Sequence, residues 1–408
     1  MTASTAPATF DVAVVGAGPA GLAAAFLLAR TGFSTALIAP KTRPDDVRTT
    51  ALLGGSVKFF ETLGLWSEIA SAGANLAVMR LVDDTGRLFR APEASFRAAE
   101  IGLDTFGVNI VNSALTTILD THVATAPRLT RIEAAVESAD LGGDAARLAL
   151  STGETVAARL VVAADGKKSR LREAAGIGTT AWAHPQSALV LNLLHPVPHR
   201  FVSTEFHGPN GPYVLVPLPG NRSSVVLVER PEEAERLRDL DDTALALELE
   251  RRAHSIFGRF TVEPGRQVWP LSSMIADNHG TKRVALVGEA AHTFPPIGAQ
   301  GLNLSLRDIA SLAEIVAEAA RAKKDIGSEE TLRAYEKSRR LDVETRTRGV
   351  DVANRALLSD LLPVQAVRSL GFALANSIGP LRRLVMREGL TPSWSTPRLM
   401  RGLDIAAV

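Results

Sequence analysis

Residues 10–32 read FDVAVVGAGPAGLAAAFLLARTG, and their pattern sets the architecture of the N-terminal part of the chain. The β-branched run FDVAVVG is typical of a buried parallel strand. A glycine turn then opens an Ala- and Leu-rich helix that ends at Gly32, and STALIA at 34–39 is the next strand. Because a strand, a glycine turn, a helix and a second strand form a βαβ unit, this stretch predicts a dinucleotide-binding fold.

The turn GAGPAG covers residues 16–21 and has GxGxxG spacing. Gly16 permits the tight turn, Gly18 lets a pyrophosphate approach the backbone, and Gly21 lets the helix pack on the strand. The unpaired N–H groups at the start of the helix suit phosphate oxygens. The candidate cofactor-binding residues of this turn are Gly16, Gly18, Ala20 and Gly21.

The second strand lacks the acidic residue that usually follows it in such folds. Ala39 stands at this position, before Pro40 and Lys41. The missing carboxylate removes a hydrogen-bond acceptor for the ribose 2′-hydroxyl, which is worth about 1–3 kcal/mol. Lys41 or Arg43 as a site for an NADP 2′-phosphate is the alternative, but the other motifs favour a tightly held flavin.

Composition excludes several classes of protein and of site. The 408 residues carry a net charge of +1 with no basic block, so we expect no nucleic-acid partner. The absence of cysteine excludes disulfides, thiolate metal sites and cysteinyl-flavin attachment, and histidine spacing predicts no metal site. We find neither a secretory signal nor an apolar run of about 18 residues, and expect a cytoplasmic protein.

The buried-strand pattern of a nucleotide-binding domain occurs near 10–40, 159–175 and 283–310, and short strands with turn signals fill 180–272. We expect helices over 52–63 and 112–119, one helix over 240–256 within the β-rich part, and mainly helices after 302. The fold class is therefore α/β: a Rossmann-like three-layer domain with a parallel sheet, an inserted antiparallel-sheet substrate domain and a helical C-terminal tail. The expected boundaries are 1–75, 96–178 and 274–350 for the first domain, 76–95 and 179–273 for the second, and 351–408 for the tail.

Three motifs together resemble those of the FAD-dependent aromatic hydroxylases, the class A flavoprotein monooxygenases. They are GAGPAG, VVAADGKKSRLREAAGI at 161–177 and VALVGEAAHTFPPIGAQGLNLSLRD at 284–308. DDVRTTALL at 45–53 and NIVNSALTTIL at 109–119 are most similar to segments of the ubiquinone-biosynthesis hydroxylases within that family. The resemblance implies a non-covalent FAD site built from all these segments.

The resemblance also implies roles for individual residues. Arg48 would reach the flavin, although it could be an exposed loop arginine, and Asn112 would bind the FAD chain unless it only caps a helix. Asp165 and Gly166 would lie where FAD and nicotinamide cross, although Asp-Gly turns are common. Arg172 either holds Asp165 or is a solvated helix residue.

The third motif would form the floor of the flavin site. Glu289 stands where the family usually has the aspartate that accepts from a ribityl hydroxyl, and it is one methylene longer. His292 is better interpreted as a structural histidine than as a base. Prolines and glycines here permit a close, rigid, apolar approach to the flavin, and N–H groups at a helix start would stabilise negative charge on it. The candidates, besides Pro295, are Glu289, Pro296, Gly298, Gln300, Gly301, Leu302 and Asn303.

The resemblance implies that NAD(P)H reduces FAD and that a flavin C4a-hydroperoxide, formed with O2, hydroxylates the ring of a lipophilic polyprenyl-phenol or quinone precursor in ubiquinone biosynthesis. No side chain is assigned as catalytic, because the cofactor carries the chemistry. A flavin reductase or halogenase of the same fold stays an alternative, as does a non-catalytic FAD-binding scaffold supported by Ala39 and Glu289. Association with other quinone-biosynthesis enzymes is also expected.

The leucine- and arginine-rich tail over 355–390 allows two interpretations. Its helices pack on the FAD domain, or they present a basic surface to an anionic membrane. In the second case the protein would be peripheral at the inner face of the membrane. The arginines concerned are Arg355, Arg368, Arg382, Arg383 and Arg387.

Overall fold

The structure is a computed structural model that describes residues 7–41, 46–86, 92–296, 300–358, 379–390 and 396–405. Its strands are β1 Ala8–Val15, β2 Thr35–Ile38, β3 Thr49–Leu53, β4 Ala74–Asn75, β5 Val78–Asp83, β6 Ala94–Arg97, β7 Gly107–Val111, β8 Leu129–Ile132, β9 Val136–Asp140, β10 Ala146–Leu150, β11 Thr155–Ala163, β12 Thr179–Leu194, β13 Val202–His207, β14 Pro212–Leu218, β15 Arg222–Glu229, β16 Thr261–Val262, β17 Gln267–Ala276, β18 Gly280–Thr281, β19 Val284–Leu286 and β20 His292–Thr293. Its α-helices are α1 Pro19–Thr31, α2 Gly55–Thr62, α3 Trp66–Ala72, α4 Asn112–Thr125, α5 Arg170–Ala174, α6 Pro231–Asp239, α7 Asp242–Arg252, α8 Gly301–Arg321, α9 Glu329–Leu358 and α10 Gly379–Leu390. Short 3-10 helices cover Ala98–Ile101, Gly288–Ala290 and Leu399–Arg401.

The first sheet has eight strands in the order β18-β19-β11-β1-β2-β8, with β10 on β11 and β9 on β10. Strands β19, β11, β1, β2 and β8 are parallel. The predicted βαβ unit is present as β1, α1 and β2, and Gly32 ends α1 in the left-handed conformation with φ 115°. Because Ala163 pairs with both Val15 and Leu286, the carboxyl ends of β1, β11 and β19 lie side by side. All three sequence motifs therefore meet at one edge of this sheet.

Side chains of β1 alternate between two buried clusters. Val12 and Val14 pack with the residues of α1 and α8, whereas Ala13 and Val15 pack on the other face with β10 and α5. Both faces of the parallel sheet are covered, which explains the continuous apolar run in the sequence. The Rossmann-like three-layer prediction is confirmed.

The second sheet has nine strands in the order β20-β17-β12-β15-β14-β13-β5-β6, with β16 on β12. Most of its neighbours are antiparallel, and β13 runs parallel to β5. One face packs on α6 and α7 through Leu191, Leu215 and Leu227. The predicted antiparallel sheet is thus present, and β20 from the third motif joins it as an edge strand.

Three predicted helices are wrong in their limits. The helix predicted over 112–119 continues to Thr125. Leu52 and Leu53 end strand β3, which pairs with β7 in a three-stranded sheet, and helix α2 begins only at Gly55 after Gly54 turns with φ 48°. The helix predicted over 240–256 is in fact the second of two, since α6 precedes it. Extended backbone at Leu240 separates them, and Asp241 caps α7 by accepting from the N–H of Ala244.

The described C-terminal residues pack on the first domain. Leu399, Met400 and Ile405 belong to its main core, and the Met400 sulfur lies 3.1 Å from the position of a Cβ built on Gly55. In α10, Met386 joins a cluster with Ala51 and Leu53 of β3 and with Phe106. The predicted C-terminal helices are therefore confirmed where they are described. No helix among the described residues combines the length and apolar character needed to span a bilayer.

We predict that the docked C-terminal segment stabilises the domain. Leu399 is 0% exposed, so Leu399→Ala should lower the free energy of unfolding in urea by about 2–5 kcal/mol. The control is Leu403→Ala, because Leu403 is 46% exposed and its loss should cost within about 0.5 kcal/mol. Equal unfolding midpoints for the two variants would contradict this packing.

Candidate functional site

The glycine turn between β1 and α1 has two positions without room for a side chain. A Cβ on Gly16 would lie 2.2 Å from the Ala164 carbonyl oxygen, and one on Gly21 would lie 1.9 Å from the Gly16 oxygen. Gly16 also has φ +113°, where L-residues are strained. By contrast, no atom of the described residues outside the turn's own neighbours lies within 4 Å of a Cβ on Gly18. The open space beside Gly18 lets a ligand reach the backbone.

Helix α1 begins at this open space. Gly18 is its N-cap, and Pro19 occupies the first position, where no N–H is needed. Ala20 lies close to the third motif, since its Cβ is 3.6 Å from the Cβ position of Gly288. The N-terminus of α1 therefore has the donors and the positive dipole end that suit an anion, at the edge where the motifs meet.

Asp165 follows β11 and carries an unpaired buried atom. Its Oδ2 accepts from the N–H of Leu171 at 3.3 Å, whereas its Oδ1 is buried without a hydrogen-bond partner in the described part of the chain. Burying such an acceptor costs about 1–3 kcal/mol unless a ligand donates to it. Gly166 then turns with φ +83°. The second motif thus offers a carboxylate acceptor to a ligand hydroxyl.

Arg172 has a role that the sequence did not predict. It is buried, and its guanidinium donates to the Ala290 carbonyl at 2.9 Å and to the Lys167 carbonyl at 3.0 Å. It is therefore neither a partner of Asp165 nor a solvated residue. It holds the second and third motifs together.

Arg48 is half-buried and paired. Its guanidinium makes two 2.8 Å bonds to Asp46 and lies over the Trp269 ring, 4.9 Å from the centroid. The hydrogen bonds that Arg48 donates to Asp46 raise the pKa of Arg48. Burial lowers this pKa, while the charges of Asp46 and Glu289 raise it further. Arg48 is thus a fixed cation between the two domains and near the third motif, not a free loop arginine.

Asn112 holds the segment that carries Arg48. Its Oδ1 accepts from the Thr50 hydroxyl at 2.6 Å, and its Nδ2 donates to Asp46 at 3.2 Å. Its own N–H donates to the Arg48 carbonyl at 2.8 Å. Val111 is the N-cap of α4 and Asn112 its first residue, so the alternative of a helix-capping side chain is wrong.

The third motif turns sharply after β19. Gly288 has φ +60°, and Glu289 is exposed and makes no hydrogen bond with any other described residue. Pro295 is buried and Pro296 exposed. Gly298 lies outside the described residues. His292 is a structural histidine as predicted, because its buried Nε2 lies 2.7 Å from Asp308 Oδ2.

Helix α8 starts at the same edge with free donors. Gln300 is its N-cap, and the N–H groups of Gly301 and Leu302 have no acceptor among the described residues. The Asn303 side chain instead ties the helix to β3, accepting from Leu53 N at 3.0 Å and donating to Ala51 O at 2.7 Å. The helix presents a second positive dipole end to a ligand.

These features fit FAD. Two helix N-termini supply donors for a pyrophosphate and for an anionic ring edge, and the space beside Gly18 is open to the backbone. Asp165 and Glu289 supply carboxylate acceptors for hydroxyl groups of the ligand. Among the described residues, no group of three or more His, Asp or Glu side chains could hold a metal ion.

A family model described as "FAD binding domain" matches residues 9–349. The chain belongs to this FAD-binding family. It is 35% identical over 407 residues to ubiquinone hydroxylase UbiL of Rhodospirillum rubrum, covering 97% of this chain and 93% of the relative. It is 28% identical over 389 residues to 3-demethoxyubiquinol 3-hydroxylase of Escherichia coli, covering 93% and 98%.

The fold is shared with a solved monooxygenase structure. The p-nitrophenol 4-monooxygenase PnpA of Pseudomonas putida superposes with a TM-score of 0.77 at 21% identity, covering 94% of this chain and 98% of that one. The resemblance to FAD-dependent hydroxylases is therefore confirmed, and FAD is the cofactor of the fold.

Sequence reasoning missed several residues that hold the site. Asp46 stands inside the quoted 45–53 segment, and Asp308 ends the third motif, so both could have been found as acids beside predicted ligands. Arg346 had no such signal. It lies on α9, outside every motif, and donates to Gln300 Oε1 at 2.6 Å.

The two glycine positions give a matched test. Gly18→Ala should lower the stability of the apoprotein by no more than about 1 kcal/mol, because alanine is a poorer N-cap than glycine. It should nevertheless weaken FAD binding by at least about tenfold, since a methyl group would stand where the pyrophosphate approaches. Flavin fluorescence titration measures the affinity.

Gly16→Ala is the companion variant, and it should impair both folding and FAD binding because its Cβ would lie 2.2 Å from a carbonyl oxygen. A Gly18→Ala protein with unchanged FAD affinity would show that the cofactor does not use this space.

Proposed function

We propose that the protein uses FAD, NAD(P)H and O2 to hydroxylate the ring of an uncharged polyprenylated phenol or quinol precursor of ubiquinone. The observation that carries this proposal is the largely aliphatic face that the second sheet turns toward the cofactor edge. The names of the two curated relatives support the pathway, because both act on ubiquinone or its precursor.

Two contacts identify the face that looks toward the cofactor segments. The Thr49 hydroxyl donates to the Ser224 hydroxyl at 3.0 Å, and Asn192 Nδ2 donates to the Val47 carbonyl at 3.2 Å. Ser224 and Asn192 are paired residues of β15 and β12, so they lie on one face of the sheet. Helices α6 and α7 cover the opposite face.

On its central strands this face is largely aliphatic, whereas β13 adds Glu205, which binds His207 at 2.8 Å. The described residues of β12 from 188 on, β14 and β15 that share it include Val190, Val214, Val216, Val226 and Val228. The one charged side chain among them, Arg222, lies at the end of β15 and binds Glu263 through two 2.7 Å bonds. A ring carboxylate would find no free cation here, and burying it unpaired is costly. The face therefore favours a substrate without a carboxylate.

Two unpaired hydrogen-bond acceptors on this face could orient the ring of the substrate. Asn192 Oδ1 and Gln267 Oε1 are buried without hydrogen-bond partners in the described part of the chain. Gln267 pairs with Val190 across the β12–β17 ladder, so it shares the same face as Asn192. Both atoms can accept from a phenolic hydroxyl, which would fix the ring and leave its tail among the valines.

The chain's own contribution is binding, orientation and exclusion of water. FAD, when bound, supplies the electron transfer and oxygen activation. The N–H groups of Gln300, Gly301, Leu302 and Asn303 would stabilise negative charge on its ring, and Pro295 and Pro296 would shield it without offering an N–H. The remainder of FAD would be held by two sets of groups. The first is the backbone of Gly16, Gly18, Ala20 and Gly21, and the second is the side chains of Arg48, Asn112, Asp165 and Glu289.

Deletion of the gene in its host tests the reaction. The expected result is accumulation of a prenylated ring that lacks one hydroxyl group, identified by mass spectrometry of the quinone pool. A plasmid with the wild-type gene should restore the mature quinone, whereas the Gly16→Ala variant should not. An unchanged quinone pool in the deletion strain would contradict the proposal.

We further propose that α10 touches an anionic membrane, from which such a substrate would enter. Arg383, Leu384 and Arg387 are exposed on this helix, while Arg382 binds Glu100 and Met386 is buried. Exposed leucine between arginines suits an anionic lipid surface. Arg368 and the Arg355 side chain lie outside what the structure describes.

Vesicle flotation tests the membrane proposal. The double variant Arg383→Glu/Arg387→Glu should lose binding to vesicles that contain anionic lipid. The matched control is Arg230→Glu/Arg259→Glu, two exposed arginines next to α6 and α7 on the opposite side of the second sheet. Equal flotation of both variants and the wild type would refute a role for α10.

A further inference from the structure

A buried set of charged residues connects α8, α9 and the third motif. Asp308 of α8 accepts from the Gly288 N–H at 3.1 Å and from His292 Nε2 at 2.7 Å. Its other oxygen accepts from Arg339 Nε at 2.8 Å. We call this set, with Asp342, Arg307 and Arg346, the Asp308 network.

The network continues along α9 to the start of α8. Arg339 donates to Asp342 at 2.9 Å, and Arg307 donates to both oxygens of Asp342 at 2.9 and 2.8 Å. Arg346 Nε donates to Asp342 at 2.9 Å, and its Nη1 donates to Gln300 Oε1 at 2.6 Å. One chain of charge-assisted bonds thus runs from Gly288 to Gln300.

Gly288 and Gln300 bracket the segment that carries Glu289, Pro295 and Pro296. Both ends of the predicted flavin floor are therefore held by one network, although Arg339, Asp342 and Arg346 come 39 or more residues later in the sequence. The network therefore fixes Gly288 and Gln300 relative to each other. This is the arrangement expected of groups that support a cofactor-binding surface.

The network also carries an excess of positive charge. Three guanidinium groups face two carboxylates, so the guanidinium groups outnumber the carboxylates by one. Asp308 and Arg339 are fully buried, and charges in such surroundings act over longer distances than in water. The excess charge stands behind the N-terminus of α8, where it adds to the positive end of the helix dipole.

We propose that Arg346, held by Asp342, is a positioning residue that fixes the Gln300 side chain and so aims the N-terminal N–H groups of α8 at the flavin. This inference rests on the proposed FAD site. It assigns a role to the Gln300 side chain, whereas the sequence predicted only a backbone role. Loss of the contact should weaken FAD binding and make reduction of the flavin less favourable, because negative charge on the reduced ring would lose aligned donors.

The test is a double-mutant cycle with Arg346→Met, Gln300→Ala and the double variant. Each single change should raise the FAD dissociation constant about tenfold, the range for a lost hydrogen bond to a charged group. The double variant should lose no more than the stronger single variant, because both remove one interaction. The flavin reduction potential, measured against a reference dye, should become more negative in all three.

Arg340→Met is the matched control. Arg340 lies on the same helix but pairs on the surface with Glu336 and Glu344, so its loss should leave both FAD affinity and potential unchanged. Gln300→Ala keeps the Arg346–Asp342 pair and the backbone N–H groups, so it carries the test if Arg346→Met does not fold.

Three outcomes would overturn the inference. They are wild-type affinity and potential in Gln300→Ala, additive losses in the double variant, or a potential that does not move while thermal stability falls. The last would show a purely structural network. Wild-type protein that binds no FAD would instead refute the proposed site itself, so the two failures are distinguishable.

Discussion

The edge of the first sheet where the three motifs meet depends on the hydrogen bonds and ion pairs of the Asp308 carboxylate. Burial favours its neutral form, yet the charges of His292 and Arg339 hold the pKa of Asp308 well below its usual range. Its stabilising contribution is therefore complete above the unfolded-state pKa and is lost as the pH falls toward the lower folded-state value. Removing one partner would leave a buried charge unpaired, which costs about 3–5 kcal/mol. Through this group, α8, α9 and the turn after β19 form one rigid support.

The parallel sheet adds a second constraint, because its register brings three distant motifs to one edge. Sequence reasoning could predict this part well. The glycine spacing, the Asp-Gly turn and the long third motif each follow a buried strand, and strand ends in a parallel sheet must meet. The requirement for glycine at Gly16 and Gly21 follows from the same geometry, since neither position has room for a Cβ. The short sequence motifs were sufficient to predict those parts of the site that the backbone geometry of a single turn determines.

The parts that sequence could not predict depend on long-range pairing. The local sequence predicts a helix at Leu52 and Leu53, which form a strand because β7 pairs with them. The role of Arg172 follows only from its hydrogen bond to the Ala290 carbonyl, which the fold brings close. Arg346 reaches Gln300 only because α9 packs along α8. The face proposed to bind the substrate likewise needed the strand register, because alternation alone does not say which side of a sheet looks toward the first domain. Side-chain partners of this kind are set by tertiary packing and leave no short motif.

Oxygen transfer by the purified protein tests the central claim most directly. The protein with FAD and NAD(P)H would be given oxygen-18 gas and a polyprenylated phenol, in parallel with the same phenol bearing a ring carboxylate. We expect one labelled oxygen on the ring of the neutral phenol and little turnover of the carboxylated one. Consumption of NAD(P)H without any labelled ring product, or preference for the carboxylated ring, would contradict it.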